Sequence, residues 1–548
     1  MGDLVPAGTA RPILPPHVHE FLDKLPSWGL DPIGYHVVNI LLHALNGFLA
    51  WRILERLKVP GAWFASLLFL LHPIQVESVA WITERKNVLS GFFYLSVLLS
   101  YLRFKEEKAG LWPWYFFPYF FFLAALLSKT VTATLPAALL LILWWKEGQF
   151  SWRDFFRLIP FFVASIALGS VTVAFETGHI ISIGMDEWTF SHADRFLIAG
   201  QALWFYLGKL IWPHPLIFIY PRWEIDPSAL WQWFFPLSFI LLLAVLWVFR
   251  SRWGRGPFTA MAFFSMTLLP ALGFRNFFPM RFSFVADHFQ YLATIGPIGC
   301  VVAVAQTALE KHSRIRTVLG VALLLVCSIL SWRQSMIYES LEISWRDTLS
   351  KNPRAWMAHN NLGTVLMQSG QNDEAELHFK EAIRLKPDNA EAYNNLGGLM
   401  ATKGKLRKAI AYYQRAIRFQ PNSGQFRGNL GTTLLELGKI DKAMFHYLKA
   451  IELDPKLADN YYAMGNAFLK KGELKNAALQ YREAVRLEPN SAQLHDNFAA
   501  FLAKQGKKNE AIEQYNEALR LEPKNPDAQR NLRRLAFGDM FQRSAVNK

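Results

Sequence analysis

Cysteine is nearly missing from this chain. Only Cys300 and Cys327 occur in 548 residues. Both fall inside apolar runs, so neither a disulfide framework nor a cysteine-ligated metal centre is expected. The opening stretch MGDLVPAGTARPILPP lacks a basic cluster followed by an apolar core, so no cleavable signal peptide is expected there. No P-loop, dinucleotide fingerprint or HExxH string occurs, which removes the common nucleotide-dependent and zinc-hydrolase classes. His179 and His214 stand isolated, and no metal site is expected from them. No soluble stretch interleaves Lys and Arg with stacking aromatics. The net charge of +15 therefore does not read as a nucleic-acid interface.

Apolar and aromatic residues are abundant instead, at 52 % and 15 % of the chain. They are concentrated before residue 332; beyond it Ala, Asn, Lys, Glu and Leu dominate. A very apolar half joined to a water-compatible half predicts an integral membrane protein with a soluble domain. After a polar, Pro-rich segment at 1–34, apolar runs occur at about 35–57, 61–80, 87–104, 112–128, 131–146, 155–175, 228–249, 257–273, 286–309 and 315–332. Several approach the roughly 20 residues that span a bilayer. The run 195–212 is interrupted by Gln201, Gly208 and Lys209 and reads as a re-entrant or interfacial helix.

Charge supports that layout. Arg52, Arg56 and Lys58 begin a series of alternate short connectors, each with three basic residues; Arg250, Arg252 and Arg255 form a later one. Opposite connectors are poorer in basic residues, and one is acidic through Glu176, Asp186, Glu187 and Asp194. The positive-inside rule then predicts about ten crossings, both termini outside the cytoplasm, and contacts with membrane lipid headgroups.

The second half repeats itself. Pro353, Pro387, Pro421, Pro455, Pro489 and Pro523 recur at a step of 34, as do Gly363, Gly397, Gly431 and Gly465, with Ala499 in the fifth place. Phe379, Tyr413, Tyr447, Tyr481 and Tyr515 keep the same step. This is the tetratricopeptide period of stacked antiparallel helix pairs. The expected fold class is all-α: a polytopic membrane helix bundle at 35–332, a connecting helix at 333–353, and a tetratricopeptide-repeat superhelix at 354–536. The superhelix holds five repeats and a capping helix, and a tail follows at 537–548. Asn361, Asn395, Asn429 and Asn497 share one repeat position. Such amides can pair with the backbone of an extended polypeptide in the groove, or tie neighbouring repeats together.

One connector in the apolar half is unusually polar. LHPIQVESVAWITERKN, Leu71 to Asn87, carries His72, Gln75, Glu77, Glu84, Arg85, Lys86 and Asn87 between two apolar runs. Trp81 as an interfacial anchor explains one such charge, whereas the whole cluster suggests a polar ligand. The predicted topology puts this stretch outside, with Lys129, Asp287 and His288 at other outer helix ends. His36, Asn39 and His43 fall at i, i+3 and i+7 on one helix face. They suit either a ligand or interhelical hydrogen bonds. Asp287 and Arg281 are expected to form a loop-fixing ion pair.

The strings GYHVVNILLHALN, HPIQVESVAWITERKNVLS, LLSKT and VADHFQYLATIG, followed by the repeat array, resemble the transmembrane-and-tetratricopeptide-repeat family, whose relatives include polytopic O-mannosyltransferases. The resemblance covers about residues 28–350 plus the repeats. It implies a glycosyltransferase-like membrane fold that takes a sugar, commonly mannose, from a polyprenyl-phosphate carrier to an acceptor outside the cytoplasm, either periplasm or endoplasmic-reticulum lumen. Such transfer needs a carboxylate for the acceptor hydroxyl and cations for the leaving phosphate. His36, Asn39, His43, Glu77, Glu84, Arg85, Lys86, Lys129, Asp287 and His288 are the candidate lipid-phosphate or sugar-binding residues. Relatives often have Arg in place of His288. The resemblance puts the catalytic acid in a large outer loop after a first membrane helix. Here residues 1–34 offer only Asp3, Glu20, Asp23 and Asp31, none in a matching motif. The catalytic residue is left unassigned and the chain reads as N-terminally shortened. The alternative expectation is a catalytically inactive, membrane-anchored repeat scaffold. No cofactor beyond the lipid-linked sugar donor is implied, and no metal ligand set is assigned.

Overall fold

The computed structural model describes residues 32–106, 113–182, 190–276 and 278–535. Asp3, Glu20, Asp23, Asp31, Asp186, Glu187 and the tail at 537–548 lie outside the described residues. Among the described residues all regular structure is helical. The chain divides into two compact units, Met1–Ala358 and His359–Lys548.

The first unit contains α1 (Pro32–Arg56), α2 (Ala62–Leu71), the short α3 (Val76–Ala80), α4 (Arg85–Glu106), α5 (Pro113–Ser128), α6 (Leu135–Glu147) and α7 (Trp152–Ser182). It continues with α8 (His192–Ile211), α9 (Phe234–Val248), α10 (Gly256–Leu268), α11 (Ile295–Ala308), α12 (Ser313–Ser335) and α13 (Leu341–Lys351). Among the described residues five helices are long and apolar enough to cross a membrane, or six if α2 and the helical turns after it are counted as one bent span. α4 lies at the centre of the bundle, with Tyr94, Leu98, Tyr101 and Leu102 buried against Phe69, Phe122 and Phe161. α12 is the reverse: Val318, Leu319, Leu325 and Ile329 point outward and are exposed. An apolar helix surface that covers nothing in the protein is what a lipid-facing helix presents.

Two apolar runs differ from their sequence outlines. The run at 61–80 breaks at His72, where the chain bends by 52°. His72 adopts an extended backbone and Pro73 begins a 3-10 turn, since proline supplies no amide to continue α2. The run at 286–309 becomes α-helical only at Ile295; Asp287–Gln290 is a single 3-10 turn. Both departures leave irregular, polar backbone beside the bundle. The stretch read as re-entrant is the continuous helix α8, opened by a Ser191/Asp194 capping box and buried along Leu197–Leu203. It is not among the helices long and apolar enough to cross.

The second unit is a stack of helix pairs. α14 (Trp356–Gln368) and α15 (Asn372–Leu385) form the first pair, the unit boundary falling in the first turn of α14. α16 (Ala390–Thr402) and α17 (Leu406–Phe419), α18 (Gly424–Glu436) and α19 (Ile440–Leu453), α20 (Ala458–Lys471) and α21 (Leu474–Leu487), and α22 (Ala492–Lys504) and α23 (Lys508–Leu521) follow; a further helix covers 526–535. The 34-residue period has a steric cause. A Cβ added at Gly431 would lie 2.7 Å from the Tyr447 ring of the same pair, and Gly397 meets Tyr413 at 2.9 Å. Glycine lets the first helix approach closely enough to bury the aromatic ring of the second, and in the fifth pair the small Ala499 does the same for Tyr515.

Candidate functional site

The polar connector after α2 is not a solvated loop. Glu77, Ser78, Glu84 and Asn87 are all buried, and segments distant in sequence complete their contacts. α3 presents Glu77, whose carboxylate accepts from the His288 backbone N–H at 3.1 Å and from His288 Nδ1–H at 2.8 Å. Asn87 Nδ2 donates to the His288 carbonyl at 3.0 Å and lies 3.4 Å from Ser78 Oγ. The 3-10 turn Asp287–Gln290 is thus clamped from both sides by the Glu77–Asn87 stretch. Trp81 packs edge-on against Phe218 and faces the His288 ring.

A second network lies beside this clamp. Glu84 sits 3.0 Å from Lys86 Nζ and 3.6 Å from Lys129 Nζ. Lys129, in the break between α5 and the turn leading to α6, also hydrogen-bonds Asn87 Oδ1 and lies over the Phe289 ring. Burial lowers the Lys129 ammonium's proton affinity, while the Glu84 carboxylate pulls it back up. On the far side Arg85 donates to Asn39 Oδ1 at 3.2 Å and to the Tyr35 carbonyl at 3.3 Å, its guanidinium over the Tyr35 ring.

The His36/Asn39/His43 face divides. Asn39 donates to the Val79 carbonyl at 3.1 Å. His43 donates through Nε2 to the Leu70 carbonyl and receives the Tyr291 hydroxyl at Nδ1, 2.7 Å away; Asn46 in turn donates to Tyr291. This assignment gives both ring nitrogens and the Tyr291 hydroxyl a partner with a neutral imidazole. Asn39 and His43 therefore serve interhelical hydrogen bonds, whereas His36 remains half-buried at the margin.

Asp287 departs from its expected partner. Both its carboxylate oxygens accept from Tyr220 at 3.0 Å, while Arg281 stacks over Trp356 and Phe282. Tyr220 comes from the irregular segment after α8, and no periodic signal in that segment marks it. Burial, reinforced by the nearby Glu77 carboxylate, holds Asp287 well above the usual carboxylate range; the Tyr220 hydroxyl, Lys209 and Lys351 oppose the shift. Two carboxylates in one desolvated region with unlike partners are a recurring arrangement in acid–base sites. Among the described residues no group of His, Cys, Asp or Glu is placed to hold a metal ion.

In the repeats, Asn395 Nδ2 donates to Asn360 Oδ1 at 3.1 Å and Asn429 Nδ2 to Asn394 Oδ1 at 2.9 Å, so two of the four asparagines bridge adjacent repeats. Asn361 and Asn497 are half-buried at the equivalent position.

The chain matches tetratricopeptide-repeat family models at 344–390, 360–424 and 412–445, and TPR repeat models at 431–472, 465–506 and 501–532. Its curated homologues are protein O-mannosyl-transferases. One from Caenorhabditis elegans is 25 % identical over 355 residues, covering 63 % of this chain and 49 % of the relative. One from Xenopus laevis is 40 % identical over 91 residues, 16 % of this chain and 11 % of the relative. The longer match thus spans about half of the curated relative. Among solved structures, a thermophilic TPR protein of Thermus thermophilus is 21 % identical, covering 33 % of this chain and 100 % of that one, with a TM-score of 0.31. A TPR protein with an unusual peptide-binding site is 20 % identical, covering 34 % and 97 %, with a TM-score of 0.27.

Proposed function

We propose that this chain is a multi-pass membrane glycosyltransferase-like protein. It transfers a sugar, mannose by preference, from a polyprenyl-phosphate carrier to an extracytoplasmic protein that its repeats recruit. The observation that carries the reading is the convergence of Glu77, Glu84, Lys129, Asp287 and His288 into one polar region between apolar helices, its three carboxylates buried, with Arg85 bonded to α1 at its margin. Charge taken out of water at that depth is costly and persists where it serves a ligand. The similarity to protein O-mannosyl-transferases supplies the reaction class.

In such a transfer the acceptor hydroxyl oxygen forms a bond to the sugar's anomeric carbon. The bond from that carbon to the carrier phosphate breaks, the electron pair leaves with the phosphate, and the hydroxyl proton passes to a base. Arg85, Lys86 and Lys129 are the cations available to receive the phosphate charge. Glu77 fixes the Asp287–Gln290 turn through His288 and acts as a positioning residue. The base is not assigned to any described residue, because Glu77 and Asp287 are both buried and bonded within the protein. That same observation favours the second reading, a membrane-anchored repeat scaffold without transferase activity.

One pair of variants separates the readings. Glu77→Gln and Arg85→Ala are expected to abolish hexose addition to a co-expressed extracytoplasmic protein, read by mass spectrometry, with membrane abundance unchanged. Full glycosylation in both variants would remove this region from the reaction. Capture of a polypeptide by the wild-type repeats, without any sugar transfer, would establish the scaffold.

A further inference from the structure

No acidic residue occurs between Asp226 and Asp287, yet that stretch contains Arg250, Arg252 and Arg255 in the loop that joins the apolar helices α9 and α10. α9 belongs to one of the segments long and apolar enough to cross a membrane, Leu230–Ser251, and the protein covers little of it. Leu237, Ile240, Leu241 and Val248 are exposed along it. Lipid is the solvent that such a surface requires. The three arginines therefore stand where hydrocarbon gives way to headgroups.

Aromatic rings hold two of these arginines in place. Trp144 near the end of α6 and Trp247 near the end of α9 stack with their ring centroids 5.3 Å apart, and Phe258 of α10 meets Trp247 edge-on at 5.0 Å. Arg250 lies 4.2 Å over the Trp247 ring and spends one donor on the Trp247 carbonyl at 2.7 Å. Arg255 lies 5.6 Å over the Trp144 ring and against Gly148, where a Cβ would overlap the guanidinium. Stacking on an indole fixes a guanidinium plane and leaves its edge donors open. Among the described residues no carboxylate pairs with Arg250, Arg252 or Arg255. Glu147, the acidic residue at the end of α6, is bound to Lys105 at 2.8 Å.

We propose that this corner binds the headgroup of an anionic phospholipid, with the acyl chains along the exposed face of α9. A phosphate supplies the acceptor oxygens that guanidinium forks match. A zwitterionic headgroup would bring its own ammonium to the same arginines, whereas an anionic one leaves their attraction uncancelled. A soluble phosphate would satisfy the arginines and leave the apolar face of α9 bare; a lipid covers both. The corner shares no residue with the Glu77–Asp287 region, and the proposal does not depend on sugar transfer.

The test takes the full-length protein in mild detergent and titrates it with phosphatidylglycerol or phosphatidylcholine, counting retained lipid by native mass spectrometry. Saturable retention of phosphatidylglycerol in preference to phosphatidylcholine is expected. R252Q/R255Q should weaken that retention by about tenfold or more. Trp247→Leu keeps the helix apolar but removes the indole under Arg250, and it should weaken retention as well. R314Q/R316Q, an equal loss of charge at the start of α12, should leave it unchanged. Equal retention of the two lipids would overturn the proposal, as would equal losses in the two double variants. Displacement of phosphatidylglycerol by glycerol phosphate at comparable concentration would assign the corner to a soluble phosphate and overturn the lipid assignment.

Discussion

Replacing Lys129 by Met tests whether the charges beside the clamp are a coupled unit or incidental neighbours. The ammonium lies 3.6 Å from Glu84 Oε2, and the two side chains are 19 % and 2 % exposed. At an effective dielectric near 20, that separation corresponds to an attraction of about 4–5 kcal/mol. Removing one partner of a buried pair commonly costs about 3–5 kcal/mol, because the other is left charged and desolvated. Lys86 moderates the loss, since it also reaches Glu84, but its half-exposed side chain contributes about 1 kcal/mol or less. Lys129→Met should therefore destabilise the first unit by about 2–4 kcal/mol, read as reduced resistance to denaturant in detergent. Adding Glu84→Gln removes the stranded carboxylate and should recover at least about 1 kcal/mol of that loss, a coupling within the range of contacting residues. Losses that simply add, within about 0.5 kcal/mol, would refute the pairing.

The pH response of Asp287 follows from its raised proton affinity. The folded state binds a proton that the unfolded chain releases, so its contribution to stability is full below the ordinary carboxylate value. That contribution is lost progressively as pH rises towards the raised folded value. Asp287→Asn should flatten this dependence and leave the protein at least as stable at neutral pH; thermal unfolding across a pH series checks it, and an unchanged slope would contradict it. In the repeats, Gly431→Ala puts a Cβ 2.7 Å from the Tyr447 ring and should cost about 1–3 kcal/mol, with faster amide exchange in α18 and α19 and little change in the first unit. Unaltered exchange would mean that the ring yields freely.

The repeats were legible because their constraint is local and periodic. Each glycine faces the aromatic sixteen positions later, and that contact recurs in four pairs, with Ala499 in glycine's place in the fifth. The apolar helices were legible from composition, and most of their cores match the runs. Proline timing decides the break at His72, which hydropathy averages away. The clamp was half-legible. Leu71–Asn87 stood out by its polarity, and Asp287 and His288 by their motif, yet 211 residues separate Glu77 from His288. No spacing rule joins them. Arg281 looked like the partner of Asp287 by proximity in sequence. The structure gives that role to Tyr220, whose neutral hydroxyl suits a carboxyl that burial drives towards its protonated form.

The most direct measurement of the central claim is transfer itself. Purified full-length protein in lipid is given a polyprenyl-phosphate-linked mannose, isotopically labelled in the sugar, together with extracytoplasmic polypeptides. The account predicts label on a hydroxyl-bearing residue of a polypeptide, release of the unglycosylated carrier phosphate, and loss of both in Arg85→Ala. Carrier left intact while polypeptide is still captured by the repeats would contradict it.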